Sequence, residues 1–216
     1  FNHPLGNSLH NLQSLTHIIF VDRFNCPLLD SLSNCSSLTN LVFGNYFSQS
    51  LGDSLNNCQS LTHISFGSMF NHPLLNLFDN CPSLVHLGLG ISFNQKLDLP
   101  FNISSLCLNC NNGNYVEHLP NSIVELELGS DFNLELCNLP SSIKKITFNT
   151  WSEYNRELNC LPDKLSILQL PYNYKQKIQN IPPGLTKLIC TAKYPYCSDF
   201  TGVQIEICGL RNLVQQ

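Results

Sequence analysis

The sequence predicts an α/β solenoid with one parallel β-sheet of about ten strands. Short helices are expected behind the N-terminal repeats, and extended Leu-Pro segments behind the C-terminal ones. Three observations predict it. Phenylalanine recurs at Phe1, Phe24, Phe47, Phe70 and Phe93, 23 residues apart each time. A Leu-x-x-Leu-x-Leu/Phe strand pattern runs from Leu15 to Cys190. Leu-Pro or Ile-Pro pairs return at Pro100, Pro120, Pro140, Pro162 and Pro182. A fixed period of this size marks stacked units, each burying its apolar face against its neighbours.

The strand copies follow in order: Leu15/Ile18/Phe20, Leu38/Leu41/Phe43, Leu61/Ile64/Phe66, Leu84/Leu87/Leu89 and Ile103/Leu106/Leu108. Then come Ile123/Leu126/Leu128, Ile143/Ile146/Phe148, Leu165/Leu168/Leu170 and Leu185/Leu188/Cys190, with a weaker tenth copy at Ile205/Ile207. The last two apolar residues of each copy alternate with other residues, as a half-buried strand requires. In the first four repeats the return segment reads Ser-Leu-x-Asn-Cys. There Leu28, Leu32 and Cys35 are spaced for one or two helical turns. From Leu99 onward, proline replaces that helix with an extended or tight-turn path. Extra residues at Cys110–Asn114 and Asn149–Glu153 predict surface bulges, the second bearing the single tryptophan, Trp151. Gly44, Gly67, Gly90 and Gly129 follow strands and read as turn glycines. The organisation expected is a single repeat domain over 1–216. Its 23-residue repeats span 1–98, shorter Leu-Pro repeats span 99–196, and a C-terminal cap spans 197–216.

Composition bounds the function. Apolar residues make up 43% and charged residues only 12%, so Asn and Ser supply much of the polar surface. A net charge of -4 argues against a general nucleic-acid binder, which shows a basic stripe. No apolar run approaches the roughly 18 residues of a membrane span. Phe1 falls in mid-repeat, which reads as a fragment or processed product.

Eleven cysteines raise the question of a disulfide scaffold. Cys35, Cys58 and Cys81 instead share one repeat position, held by Leu12 in the first repeat, which is the mark of a small core site. Three stacked thiols cannot all pair, so reduced packing thiols and a cytoplasmic or virion-associated setting are expected. Cys107-x-x-Cys110 has a metal or redox spacing but lacks a second such pair. A disulfide among Cys190, Cys197 and Cys208 could clip the cap.

The motif Leu-x-x-Leu-x-Phe-Gly-x-x-Phe-Asn-x-Pro-Leu resembles the FNIP (IP22) type of leucine-rich repeat, as found in amoebae and amoeba-infecting giant viruses. Phe24-Asn25-Cys26-Pro27-Leu28, Phe70-Asn71-His72-Pro73-Leu74 and Phe93-Asn94-Gln95-Lys96-Leu97 carry the resemblance. Members often join such repeats to an F-box, so the resemblance implies the substrate-recognition part of a larger protein. The first four repeats depart from the usual form, with Asn-Cys where Leu-Pro is expected.

The corner asparagines Asn2, Asn25, Asn71, Asn94, Asn133 and Asn155 read as caps, accepting backbone N–H groups from the adjoining coil. His17, His63 and His86 share one outward strand position, which predicts His63 and His86 about 5 Å apart. No nucleophile, base and acid set emerges, and no cofactor or metal site is expected. The function expected is a noncatalytic protein-interaction scaffold that uses the exposed sheet. The alternative is a structural or assembly component, such as a giant-virus virion protein. The partner is placed around Ser105, Glu125, Glu127, Lys145, Thr147, Trp151 and Gln169, where both charge signs meet, with His17, His63 and His86 as a second face.

Overall fold

The structure is a computed structural model that describes residues 2–74, 77–110 and 113–208. Phe1, Asn111, Asn112 and the last eight residues of the expected cap lie outside them. The chain forms two compact units, residues 1–104 and 105–216. The first holds β1 (His17–Ile19), β2 (Asn40–Val42), β3 (His63–Ser65), helix α1 (Leu77–Asn80) and β4 (His86–Leu89). The second holds β5 (Ser105–Leu108), helix α2 (Gly113–Glu117), β6 (Glu125–Leu128), β7 (Lys145–Phe148), β8 (Ile167–Gln169), β9 (Lys187–Cys190) and β10 (Gln204–Ile207). The ten strands belong to one sheet in chain order, and the pairings within each unit are parallel.

Register follows the repeat. Leu41 stands opposite Ile64, and Ile64 opposite Leu87. Leu126, Ile146, Leu168 and Leu188 form the same column in the second unit. All of these are buried. Burying one such side chain contributes about 1.5–3 kcal/mol, and the column repeats it in every coil. The corner phenylalanines stack beside it. Phe24, Phe47, Phe70 and Phe93 lie 6.1–6.2 Å apart with nearly parallel rings. A second row, Phe20, Phe43 and Phe66, runs at 5.3 Å. In the second unit the corner ring is Phe132 and then, from Tyr154 on, tyrosine. Tyr174 and Tyr194 stay buried because their hydroxyls donate to Arg156 O and Gln176 O, at 3.0 and 3.3 Å.

The corner asparagines form the ladder that their repetition predicts. Asn2, Asn25, Asn71 and Asn155 each accept, at Oδ1, a backbone N–H from the next coil, at 2.8–2.9 Å. The sheet cannot reach these turn N–H groups, so the amide satisfies them instead.

Three expectations are corrected. The return segments of the second and third repeats are strings of turns rather than helices. Ser31, Ser33 and Cys35 each donate to the carbonyl three residues back, and Ser54, Asn56 and Cys58 repeat this. Ser, Asn and Asp compete for backbone groups there, and so short a segment cannot offset helix nucleation. Among the described residues of the first unit only Leu77–Asn80 is helical. Second, Gly113, expected within a bulge, instead opens helix α2, in which Tyr115 and Val116 are buried. Third, Gly44, Gly67 and Gly90 are not turn glycines of positive φ, a conformation confined among the described glycines to Gly6, Gly52 and Gly202. They are needed because adjacent coils touch there. A Cβ on Gly44 would stand 2.5 Å from Asp22 Cα, and one on Gly67 would collide with the Gly44 carbonyl.

The prolines do close tight turns. Ile123, Ile143, Leu165 and Leu185 donate to Pro120, Pro140, Pro162 and Pro182 carbonyls at 2.9–3.2 Å. Each turn delivers the chain to the next strand, which sets the outward rows described next.

Candidate binding face on the parallel sheet

Because strands β5 to β9 pair in register, every second side chain falls into an outward row. One row is Ser105, Glu125, Lys145, Ile167 and Lys187. The next is Cys107, Glu127, Thr147, Gln169 and Ile189. The expected contact between Glu125 and Lys145 is present, with Lys145 Nζ 3.3 Å from Glu125 Oε2. Both side chains are about half exposed, so the pair contributes at most about 1 kcal/mol. At the far end Lys187 reaches Glu206 at 2.7 Å, a pair that the strand pattern did not single out.

Glu127, Thr147, Gln169 and Trp151 line one surface depression of about 140 Å3. Gln169 Nε2 donates to Phe148 O at 3.3 Å, which fixes the amide against the wall. Trp151 is 60% exposed, and its backbone N–H donates to Asn149 Oδ1 at 3.0 Å. Its ring lies 6.3 Å from Tyr172, over which Lys193 Nζ sits at 4.7 Å. Sequence reasoning missed Tyr172 and Lys193. The signal was present, since Trp151, Tyr172 and Lys193 are 21 residues apart each time.

In the first unit His17, Asn40, His63 and His86 form one row. The rings of His63 and His86 stack at 5.4 Å, close to the spacing that strand geometry predicts. Thr62 Oγ1 donates its proton to Thr39 O at 3.0 Å. Its oxygen also lies 2.8 Å from His63 Nδ1, and with the hydroxyl proton given to Thr39 O it accepts there from the imidazole N–H. Thr39, Thr62, Ser166 and Thr186 spend their hydroxyls on carbonyls of the preceding coil. They serve the stack rather than the face.

The thiols divide by burial. Cys35, Cys58 and Cys81 are fully buried, and burial, with the neighbouring thiols adding, pushes Cys58 up to about 12. Burial likewise pushes Cys107 up to about 12, with the Glu127 charge adding to it. Such thiols stay neutral and are poor metal ligands or nucleophiles. Among the described residues no cluster of three or more His, Cys, Asp and Glu is placed to hold a metal. Nor is any helix among them long and apolar enough to cross a membrane. In the cap, Cys190 and Cys197 bring their sulfurs to 3.4 Å as thiols, while Cys208 donates its backbone N–H to Cys190 O.

Comparison with known proteins agrees with this geometry. Residues 115–150 match the family described as FNIP Repeat. Among solved structures the chain is similar to CroV588, a giant-virus protein described as a novel circular LRR protein. The two share 30% identity at a TM-score of 0.57, over 82% of this chain and 30% of that one. The chain thus spans under a third of the length of the protein it matches. No curated protein matches it. With the stacked strands, corner aromatics and asparagine ladder, these matches support a repeat protein of the FNIP, leucine-rich type.

Proposed function

We infer that the chain is a noncatalytic protein-binding scaffold that takes its partner on the sheet face of residues 105–208. Repeats of this type typically mediate protein–protein interaction. The observation that carries the location is the depression shared by Glu127, Thr147, Gln169 and Trp151. It joins an acidic group to an exposed indole, while Lys145 and Ser105 lie in the neighbouring row and Lys193 stands beyond Tyr172. An aromatic anchor beside charges of both signs fixes how a partner docks, because the ring supplies buried area and the charges select orientation.

The test is capture of partners from the source cell by the immobilised chain. Reversal of Glu127 and Lys145 together, and separately Trp151→Ala, is expected to weaken capture at least tenfold without lowering Tm. Unchanged capture by both variants would move the site to the row of His17, His63 and His86. Stoichiometric recovery of the chain in purified particles, with capture indifferent to either variant, would favour an assembly role instead.

A further inference from the structure

Cys137 and Cys160 bring their sulfurs to 3.3 Å, the Cys137 thiol donating to Cys160 Sγ. Both residues are exposed. They line a groove of about 370 Å3 with Glu135, Arg156, Glu157 and Gln176, so a small molecule can reach both sulfurs. The other close thiols differ. The column of Cys35, Cys58 and Cys81 is sealed in the core. Cys190 is buried too, and its thiol is pushed up to about 12, chiefly by that burial. The exposed pair is also self-contained. In the next coil the place of Cys160 is taken by Asn180, whose amide donates to Asn159 O, so the row of sulfurs ends at two.

We propose that Cys137 and Cys160 form a thiol–disulfide exchange site whose co-reactant is a low-molecular-weight disulfide, RSSR. The Cys160 thiolate attacks one sulfur of RSSR, giving a mixed disulfide and expelling RS⁻, which takes up a proton. Cys137 then gives up its proton and attacks Cys160 Sγ, forming the Cys137–Cys160 bond and expelling the second RS⁻. Two protein thiols lose two electrons and two protons, and RSSR leaves as two RSH. Cys160 attacks first because Cys137 is the thiol whose proton is held in the contact between the two sulfurs. The hydrogen bond to Cys160 holds Cys137 in the thiol form, with slight burial, the neighbouring sulfur and Glu135 adding to it. The product bond ties the return segment after Phe132 to the one after Tyr154, in adjoining coils, where the two sulfurs already stand 3.3 Å apart. This exchange does not depend on the partner-binding reading.

The full chain, reduced and freed of reductant, is incubated with glutathione disulfide at neutral pH, quenched with acid, alkylated and mapped by mass spectrometry. The expected product has lost two hydrogens and carries one bond, between Cys137 and Cys160. In Cys137→Ser a single glutathione adduct should remain on Cys160. Dithiothreitol should restore both thiols. Three results would overturn the proposal: stable adducts on the wild-type chain without the internal bond, a first disulfide between Cys190 and Cys197, or a pair still reduced when denatured chain reacts.

Discussion

Glu125 on β6 and Lys145 on β7 are register partners, and their side chains close to 3.3 Å. The contact is local and half exposed, so it serves the face more than the fold. A double-mutant cycle with Glu125→Ala and Lys145→Ala should give a coupling under about 1 kcal/mol that shrinks further in high salt. Urea unfolding of the four species measures it. A coupling of several kcal/mol would make the pair a structural element and spoil charge reversal as a probe of binding.

The glycines divide into two kinds, and substitution should separate them. Gly67→Ala puts a methyl group into the Gly44 carbonyl and should destabilise by about 1–3 kcal/mol. Gly52 has φ of +49° and open space around it, so Gly52→Ala should cost about 1 kcal/mol through backbone strain alone. Asparagine tolerates that left-handed conformation, so Gly52→Asn should recover most of the loss, while Gly67→Asn should recover none. Chemical denaturation compares the four.

Asn25 Oδ1 accepts Ser48 N–H at 2.8 Å and Gln49 Nε2 at 3.1 Å. Asn25→Ala should cost about 1 kcal/mol by leaving the Ser48 N–H unpaired, and Asn25→Asp, which keeps the acceptor, should cost less. Hydrogen exchange at the Ser48 amide gives an independent readout. Faster exchange is expected in Asn25→Ala than in Asn25→Asp.

The buried thiols predict a dependence of stability on alkaline pH. Burial raises Cys58 from 9.0 to about 12 and Cys81 to about 11, so the folded state holds protons that the unfolded chain releases. Their contribution is present in full below about pH 9 and is lost as pH rises through 11 to 12. Tm should therefore fall more steeply above pH 9 in the wild-type chain than in one with Cys35, Cys58 and Cys81 all changed to Ala. Equal slopes would place the protonated thiols elsewhere.

Much of the fold was legible because register is a matter of counting. When Leu41, Ile64 and Leu87 recur at one interval, parallel strands must set them side by side, and Glu125 meets Lys145 for the same reason. The corner asparagines were legible because a repeated amide beside a buried ring has one economical use, as a cap for the next coil. The role of the glycines was not, because repetition shows that a small residue is required without showing which atom approaches it.

The sequence by itself determined the repeat period, the strand positions and the identity of the outward rows, since each follows from apolar spacing. Tertiary structure decided the rest. It chose turns over helices in the return segments, where Ser and Asn drew the backbone into three-residue closures. It also brought Cys137, five residues past its corner ring Phe132, against Cys160, six residues past Tyr154. Unequal offsets hide such a meeting from any aligned column, because coils of different length slide against one another by a residue. Only the packed chain shows which side chains that slide brings into contact.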